Sequence, residues 1–243
     1  MPPPSSNHAT AAELFDLFGN SVLFSSLDAE TMQKLGRQVR WRGYSRGAVV
    51  DLPDTSSVHV VARGVVRLSL VSEGGRELGL GQREEGEIFE SGASGGPGAT
   101  LGYALADGTC VATFAEAQLV AALEDCPAAL LALANHRRTE MERAQTLIAE
   151  LAFFDLRGRL ARRLLDLAID HVVVRTHEDL ARDVGARPEQ VTKALQALRE
   201  AELIAYPPHG RAIRLVDPSG LASSSRSAGE PRAAHSGRAS RRP

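Results

Sequence analysis

Between Val49 and Val120 the apolar residues come in short β-branched runs split by turn residues: "GAVVDLPDTSS", "VHVVARGVVRLSLVSEGGRELGL" and "CVATFAEAQLVAAL". In the second run Val58 and Val60, then Val66, Leu68 and Leu70, alternate with other side chains, the period of a strand that buries one face. Gly64 and the pair Gly74-Gly75 interrupt it where hairpin turns belong. The pattern predicts an antiparallel β domain, a roll or barrel, over residues 11–126.

The period changes at Pro127. The stretch "PAALLALANHRRTEMERAQTLIAELAFFD" holds no Gly and no further Pro, and Met141, Ala144, Leu147, Ile148, Leu151 and Phe154 recur at spacings of three and four. A helix over 127–155 would reach about 40 Å at 1.5 Å per residue, longer than a small β domain needs as cover. The stripe therefore predicts a dimerisation helix that pairs with a second copy, the alternative being that it packs only on its own β domain.

After a further helix, "DLRGRLARRLLDLAID", comes "RTHEDLARDVGARPEQVTKALQALREAELIAYPPHGRAIRLV". Thr176 can cap a helix reaching Val184, with Glu178 and Asp179 in its first turn at the positive end of the dipole. Ala181 is small enough for a close helix crossing, Gly185 suits a tight turn, and Pro188 fits the first position of a new helix because its missing N–H would go unbonded there. Val191, Leu195 and Leu198 form the buried side of that helix. Glu189, Gln190, Thr192, Lys193 and Gln196 then face outward, free to enter a major groove. "LIAY", the turn "PPHG" and "RAIRLV" read as a wing, with His209 and Arg211 at its tip and Ile213 and Leu215 on one face.

Composition narrows the function. The net charge of −2 is unevenly spread: residues 1–155 carry 12 Lys+Arg against 20 Asp+Glu, whereas 156–216 carry 11 against 8. A basic C-terminal part points to nucleic acid. Residues 1–10 and 222–243 are rich in Pro, Ser, Gly, Ala and Arg and are expected to be disordered tails, the second one basic. No run of eighteen apolar residues occurs and the N-terminus has no secretory pattern, which predicts a cytoplasmic protein with no membrane partner. Cys110 and Cys126 are too few for a metal or iron–sulfur site and read as two buried thiols. No GxSxG, HExxH or GK[ST] motif is present, so no enzyme is expected and no cofactor or metal is called for.

"ELAFFDLRGRLARRLLDLA", "THEDLARDVGARPEQVTKALQALREAELI" and "HGRAI" resemble the hinge, the helix-turn-helix and the wing of the Crp/Fnr (cyclic-AMP receptor protein and fumarate–nitrate regulator) family of bacterial transcription factors. The resemblance covers roughly residues 13–216. It implies an α+β fold: an N-terminal antiparallel β-roll of the cyclic-nucleotide-binding, jelly-roll kind, a long dimerisation helix, and a C-terminal winged helix-turn-helix domain at 156–221. It also implies a homodimer on a two-fold symmetric double-stranded DNA site, with half-sites about 34 Å apart and RNA polymerase as a further partner. Carried over by position, Arg187, Pro188, Glu189 and Lys193 fall where the family reads bases, and Thr176, His177, His209 and Arg211 where it touches the DNA backbone. Many members begin the reading helix with serine then arginine; here Arg187 precedes Pro188.

Residues 86–110, "GEIFESGASGGPGATLGYALADGTC", have the glycine density of a phosphate loop, yet the segment from Glu84 to His136 holds no Lys or Arg and carries eight carboxylates. In nucleotide-binding members of the family a Gly-Glu pair holds the ribose, an Arg-Ser pair the cyclic phosphate, and a Thr-Ser pair the adenine. The corresponding residues are Glu90-Ser91, Gly108-Thr109 and Ala144-Gln145. A bound phosphate needs a cation or several N–H donors, because desolvating its charge is otherwise costly. The expectation is a degenerate nucleotide pocket that does not take cyclic AMP in the usual way, in a sensor that binds something else or nothing. Two alternatives stay open: a cyclic-nucleotide response through arginines outside the loop, and a dimeric sensor or scaffold that no longer binds DNA.

Overall fold

The structure is a computed structural model that describes residues 18, 21, 23–53, 55–91, 98–207 and 212–224. Residues 1–10, the tail from 225, and His209 and Arg211 of the wing tip lie outside the described residues. The chain divides into two compact units, residues 1–144 with 181–187, and residues 145–180 with 188–243.

In the first unit α1 (Ala29–Gly36) precedes two four-stranded antiparallel sheets. In one, β1 (Arg40–Tyr44) pairs with β8 (Thr109–Ala115), β8 with β3 (Ser57–Arg63), and β3 with β6 (Ile88–Ser91). In the other, β2 (Val49–Val50) pairs with β7 (Gly98–Ala104), β7 with β4 (Val66–Ser72), and β4 with β5 (Glu77–Arg83). Neighbours distant in sequence in both sheets are the mark of a jelly roll. Gly64 and Gly75 adopt φ of +83° and +74°, as the turns after β3 and β4 require.

Val50, Val61, Val66, Leu68, Phe89 and Val111 fill the space between the sheets. Val58, Val60 and Ala62 of β3 point the other way, into a second cluster with Phe18, Phe24, Leu119, Leu123 and Leu133. β3 therefore buries both faces rather than the single one its alternation suggests: its outer side is covered by apolar residues of α1, of α2 (Glu116–Leu123) and of the start of α3 (Pro127–Phe153). His59 sits in this strand wholly buried, stacked on Phe89 and bonded through its ring nitrogens to Thr113 Oγ1 at 2.9 Å and Ser91 Oγ at 2.8 Å. Cys110 is buried but Cys126 only half-buried, so the expectation of two buried thiols holds for the first alone.

In the second unit α4 (Leu156–Leu167) is capped by Asp155, whose carboxylate accepts from Gly158 N at 2.7 Å. Leu160, Ala161 and Leu164 form its buried side. A three-stranded antiparallel sheet follows, in which β11 (Ala212–Leu215) lies between β9 (Val172–Val174) and β10 (Ile204–Ala205). Between β9 and β10 run α5 (His177–Val184) and α6 (Pro188–Glu200). The chain then forms α7 (Pro218–Ser224), where a tail was expected from residue 222. Asp217 accepts from Gly220 N at 2.9 Å, and Leu221 is fully buried, so this short helix has both a cap and an apolar anchor.

Candidate nucleic-acid interface and effector pocket

The start of α5 is fixed by reciprocal bonds. Thr176 Oγ1 donates to Asp179 Oδ2 at 2.7 Å and accepts from Asp179 N at 3.0 Å, a capping box that satisfies otherwise orphaned donors. Leu180 and Val184 are buried, and the helix ends at Gly185, whose φ of +64° turns the chain out of it. Pro188 opens α6, and Val191, Leu195 and Leu198 are its buried residues, as the spacing predicts. Pro188, Glu189, Gln190, Thr192, Lys193 and Gln196 stand outward, with Arg187 just before them.

Gln196 and Thr192 among the outward residues are tied within the chain. Gln196 Nε2 donates to Glu200 Oε1 at 2.9 Å. Thr192 Oγ1 donates to Pro188 O at 2.9 Å and also lies 2.9 Å from His177 Nδ1. His177, expected to reach the DNA backbone, thus turns toward α6, and its Nε2 lies 3.4 Å from the hydroxyl of Tyr206, which directly follows β10. Burial pushes the Tyr206 phenol up, so it keeps its proton and stays a donor. Sequence reasoning passed over Tyr206 because a lone aromatic at a strand end reads as packing.

Glu90, Ser91, Gly108 and Thr109 occupy strands β6 and β8 and the turn before β8, and each is engaged from within the unit. Glu90 accepts from Arg137 Nε at 2.8 Å, and Arg137 Nη2 bonds Glu116. These bonds hold the Arg137 guanidinium above its usual pKa. Ser91 meets His59 and Pro53 O, Arg63 Nε donates to Gly108 O at 3.3 Å, and Thr109 Oγ1 donates to Ala106 O at 2.8 Å. Ala144 and Gln145 lie exposed on α3.

Cations do reach the neighbourhood, from outside the glycine-rich segment. Arg83 of β5 and Arg137 of α3 line a cavity of about 250 Å³ with Leu68, Phe89, Glu90, His136 and Glu140. Arg83 is almost wholly buried, and its Nη2 donates to Glu140 Oε2 at 2.5 Å. The second carboxylate oxygen of Glu140 accepts from Arg143 at 2.6 Å. Burial pushes the His136 imidazole below its ordinary value. Each guanidinium facing the cavity thus has a carboxylate partner, and the volume falls below the roughly 300–1,000 Å³ typical of ligand pockets. None of these four, Arg83, His136, Arg137 and Glu140, carried a motif that single-sequence reading could find.

Met141 and Ile148 on α3 are 65% and 64% exposed, and Leu151 and Phe153 are exposed as well. Leu147 and Phe154 of the stripe are half-buried, and the exposed ring of Phe153 lies off the stripe on another face of the helix. Among the described residues no helix is long and apolar enough to cross a membrane, and no group of three or more His, Cys, Asp or Glu is placed to hold a metal ion.

Residues 158–224 match the family model of the Crp-like helix-turn-helix domain. These residues carry a Crp-like helix-turn-helix domain, and the chain is similar to solved regulators of the CRP/FNR family. A CRP/FNR-family transcriptional regulator from Thermus thermophilus is 27% identical, with 78% of this chain and 100% of that one covered at a TM-score of 0.58. A CRP-family regulator from the same organism is 26% identical, over 78% of this chain and 98% of that one at 0.57. A chain assigned to the crp/fnr family from Eubacterium rectale shares the fold at a TM-score of 0.66 with 17% identity, over 86% of this chain and 100% of that one. No curated protein matches the sequence. The α+β architecture agrees with the expectation from the sequence: an antiparallel roll, helices, and a C-terminal Crp-type helix-turn-helix.

Proposed function

We propose that this protein is a dimeric, sequence-specific DNA-binding transcription regulator of the Crp/Fnr type that works without cyclic AMP. Residues 11–126 are its sensor-like roll, 127–155 its dimerisation helix and 156–221 its reading head. The observation that carries the proposal is the outward face of α6, where Glu189 and Lys193 stand one turn apart beside Gln190, above a fully buried Val191–Leu195–Leu198 side. Glu189 suits the N4 donor of cytosine and Lys193 the acceptors of guanine. Thr176, His209 and Arg211 would meet the backbone, and RNA polymerase is the further partner.

Effector independence is supported by the cavity, whose arginines are matched by Glu90, Glu116 and Glu140. An incoming cyclic phosphate would have to displace a carboxylate from a guanidinium. The exposed row Met141, Ile148 and Leu151 supports dimerisation, because water-facing apolar side chains at helical spacing are what a second copy would cover. The protein is read as non-enzymatic and cytoplasmic.

Fluorescence anisotropy with genomic fragments, in a salt series and without added nucleotide, tests the function. Sequence-selective affinity that falls steeply with salt is the expected result. Isothermal titration with cyclic AMP and cyclic GMP tests the effector: micromolar heat from either would replace the proposal with a nucleotide-responsive regulator. A dimer that binds no fragment at all would make the protein a sensor or scaffold.

A further inference from the structure

His177 makes two contacts that a residue reserved for DNA phosphate would not need. Its Nδ1 lies 2.9 Å from Thr192 Oγ1 on α6, and its Nε2 lies 3.4 Å from the Tyr206 hydroxyl on the wing. The protons can be assigned. Thr192 has one hydroxyl hydrogen, and that hydrogen goes to Pro188 O at 2.9 Å. Toward His177 the same oxygen must accept, so Nδ1 carries the imidazole proton. Nε2 is left with a lone pair, which accepts from the Tyr206 O–H.

We infer that His177 is a positioning residue that locks the reading helix and the wing to α5, an inference that rests on the DNA-reading role proposed above. A single planar ring joins three elements that must keep one geometry for base edges to be read. The bond to Thr192 ends beside the readers: Thr192 adjoins Lys193, and Pro188, which accepts from the Thr192 hydroxyl, adjoins Glu189. Losing the ring leaves the exposed side chains in place and frees the angle at which they are presented. Base discrimination should suffer before general DNA affinity does, because phosphate attraction is long-ranged and tolerant of angle while bidentate base contacts are not.

The experiment uses the full chain, a duplex selected by the protein from random sequence, and a scrambled duplex. His177→Ala and Thr192→Val are each expected to reduce the ratio of selected to scrambled affinity about tenfold, the scale of one well-made hydrogen bond. The double variant should be no worse than either single one, since both break the same link. Thr192→Ser, which keeps the hydroxyl, should retain the parent ratio. Scrambled-duplex affinity and the salt slope should stay at parent values in all four. If His177→Ala instead lowers the salt slope by about one and weakens both duplexes alike while Thr192→Val does nothing, His177 is a phosphate contact and the positioning role is overturned.

A second measurement needs no DNA and separates this inference from the function beneath it. Long-range proton–nitrogen spectra of the histidine rings should find His177 with its proton on Nδ1 in the parent protein and shifted toward Nε2 in Thr192→Val. A parent His177 carrying its proton on Nε2 overturns the lock even if the protein binds DNA well. An Nδ1 proton in a protein that selects no duplex would sustain the lock and refute the DNA-reading role.

Discussion

Arg83 Nη2 lies 2.5 Å from Glu140 Oε2, joining the last residue of β5 to the middle of α3. The guanidinium side of the pair is 4% exposed and the carboxylate side 32%. Glu140→Ala leaves a buried cation without its anion and is expected to cost about 3 kcal/mol, the lower end for broken buried pairs because Glu140 retains some solvent. Replacing both, Arg83→Met with Glu140→Leu, should recover most of that loss. Urea denaturation of the three proteins measures both; equal stability of Glu140→Ala and parent would show that the pair is not buried as described.

The imidazole of His59 gives stability a pH dependence. Burial pushes it down to about 4, from an ordinary value of 6.5, with Asp51 opposing weakly. The unfolded chain takes up a proton as pH drops through 6.5, while the folded chain does not until about 4. His59 therefore contributes stability that is whole above pH 6.5 and is lost progressively down to about 4, on the order of 3 kcal/mol in total. Thermal melts from about pH 7.5 to 4.5 should show the decline. In His59→Gln, which keeps polar contacts without titrating, the slope should flatten.

On α3 the exposed row offers a direct test of self-association. Met141→Glu with Ile148→Glu puts like charges at two places where a second copy would meet the first. Sedimentation should change from a dimer to a single chain, and affinity for a palindromic duplex should fall at least about a hundredfold while affinity for a half-site changes little. A parent protein that sediments as a monomer at micromolar concentration removes the need for the row to be covered.

Lys193→Ala and Glu189→Ala should each relax preference at one base pair of a half-site by about 1 to 3 kcal/mol. Arg211→Ala, by contrast, should weaken all sequences alike and reduce the salt slope by about one. Binding profiles on randomised duplexes separate the two behaviours.

Helix spacing and capping chemistry make the reading head legible in the chain itself. Thr176, Gly185, Pro188 and the Val191–Leu195–Leu198 side each obey a local rule, so the sequence carries the geometry. The cavity is not legible in the same way. Leu78, Leu80 and Gln82 alternate as if they shared an inward face, but the pairing shifts between Leu68 opposite Gly81 and Ser69 opposite Gly79. That bulge moves Arg83 opposite buried Val66 and turns it inward. Glu140 and Arg137, more than forty residues away, meet β5 and β6 only through the tertiary fold. Likewise, no local rule reveals that His177 prefers Thr192 to solvent.

The bond from Thr192 back to Pro188 would have a practical meaning, on the DNA-reading role proposed above, for anyone who wishes to redirect this protein to a different duplex. Positions 189 and 193 would then be varied as a two-letter code for new bases, whereas position 192, though it looks just as accessible, would belong to the frame that keeps those letters in line.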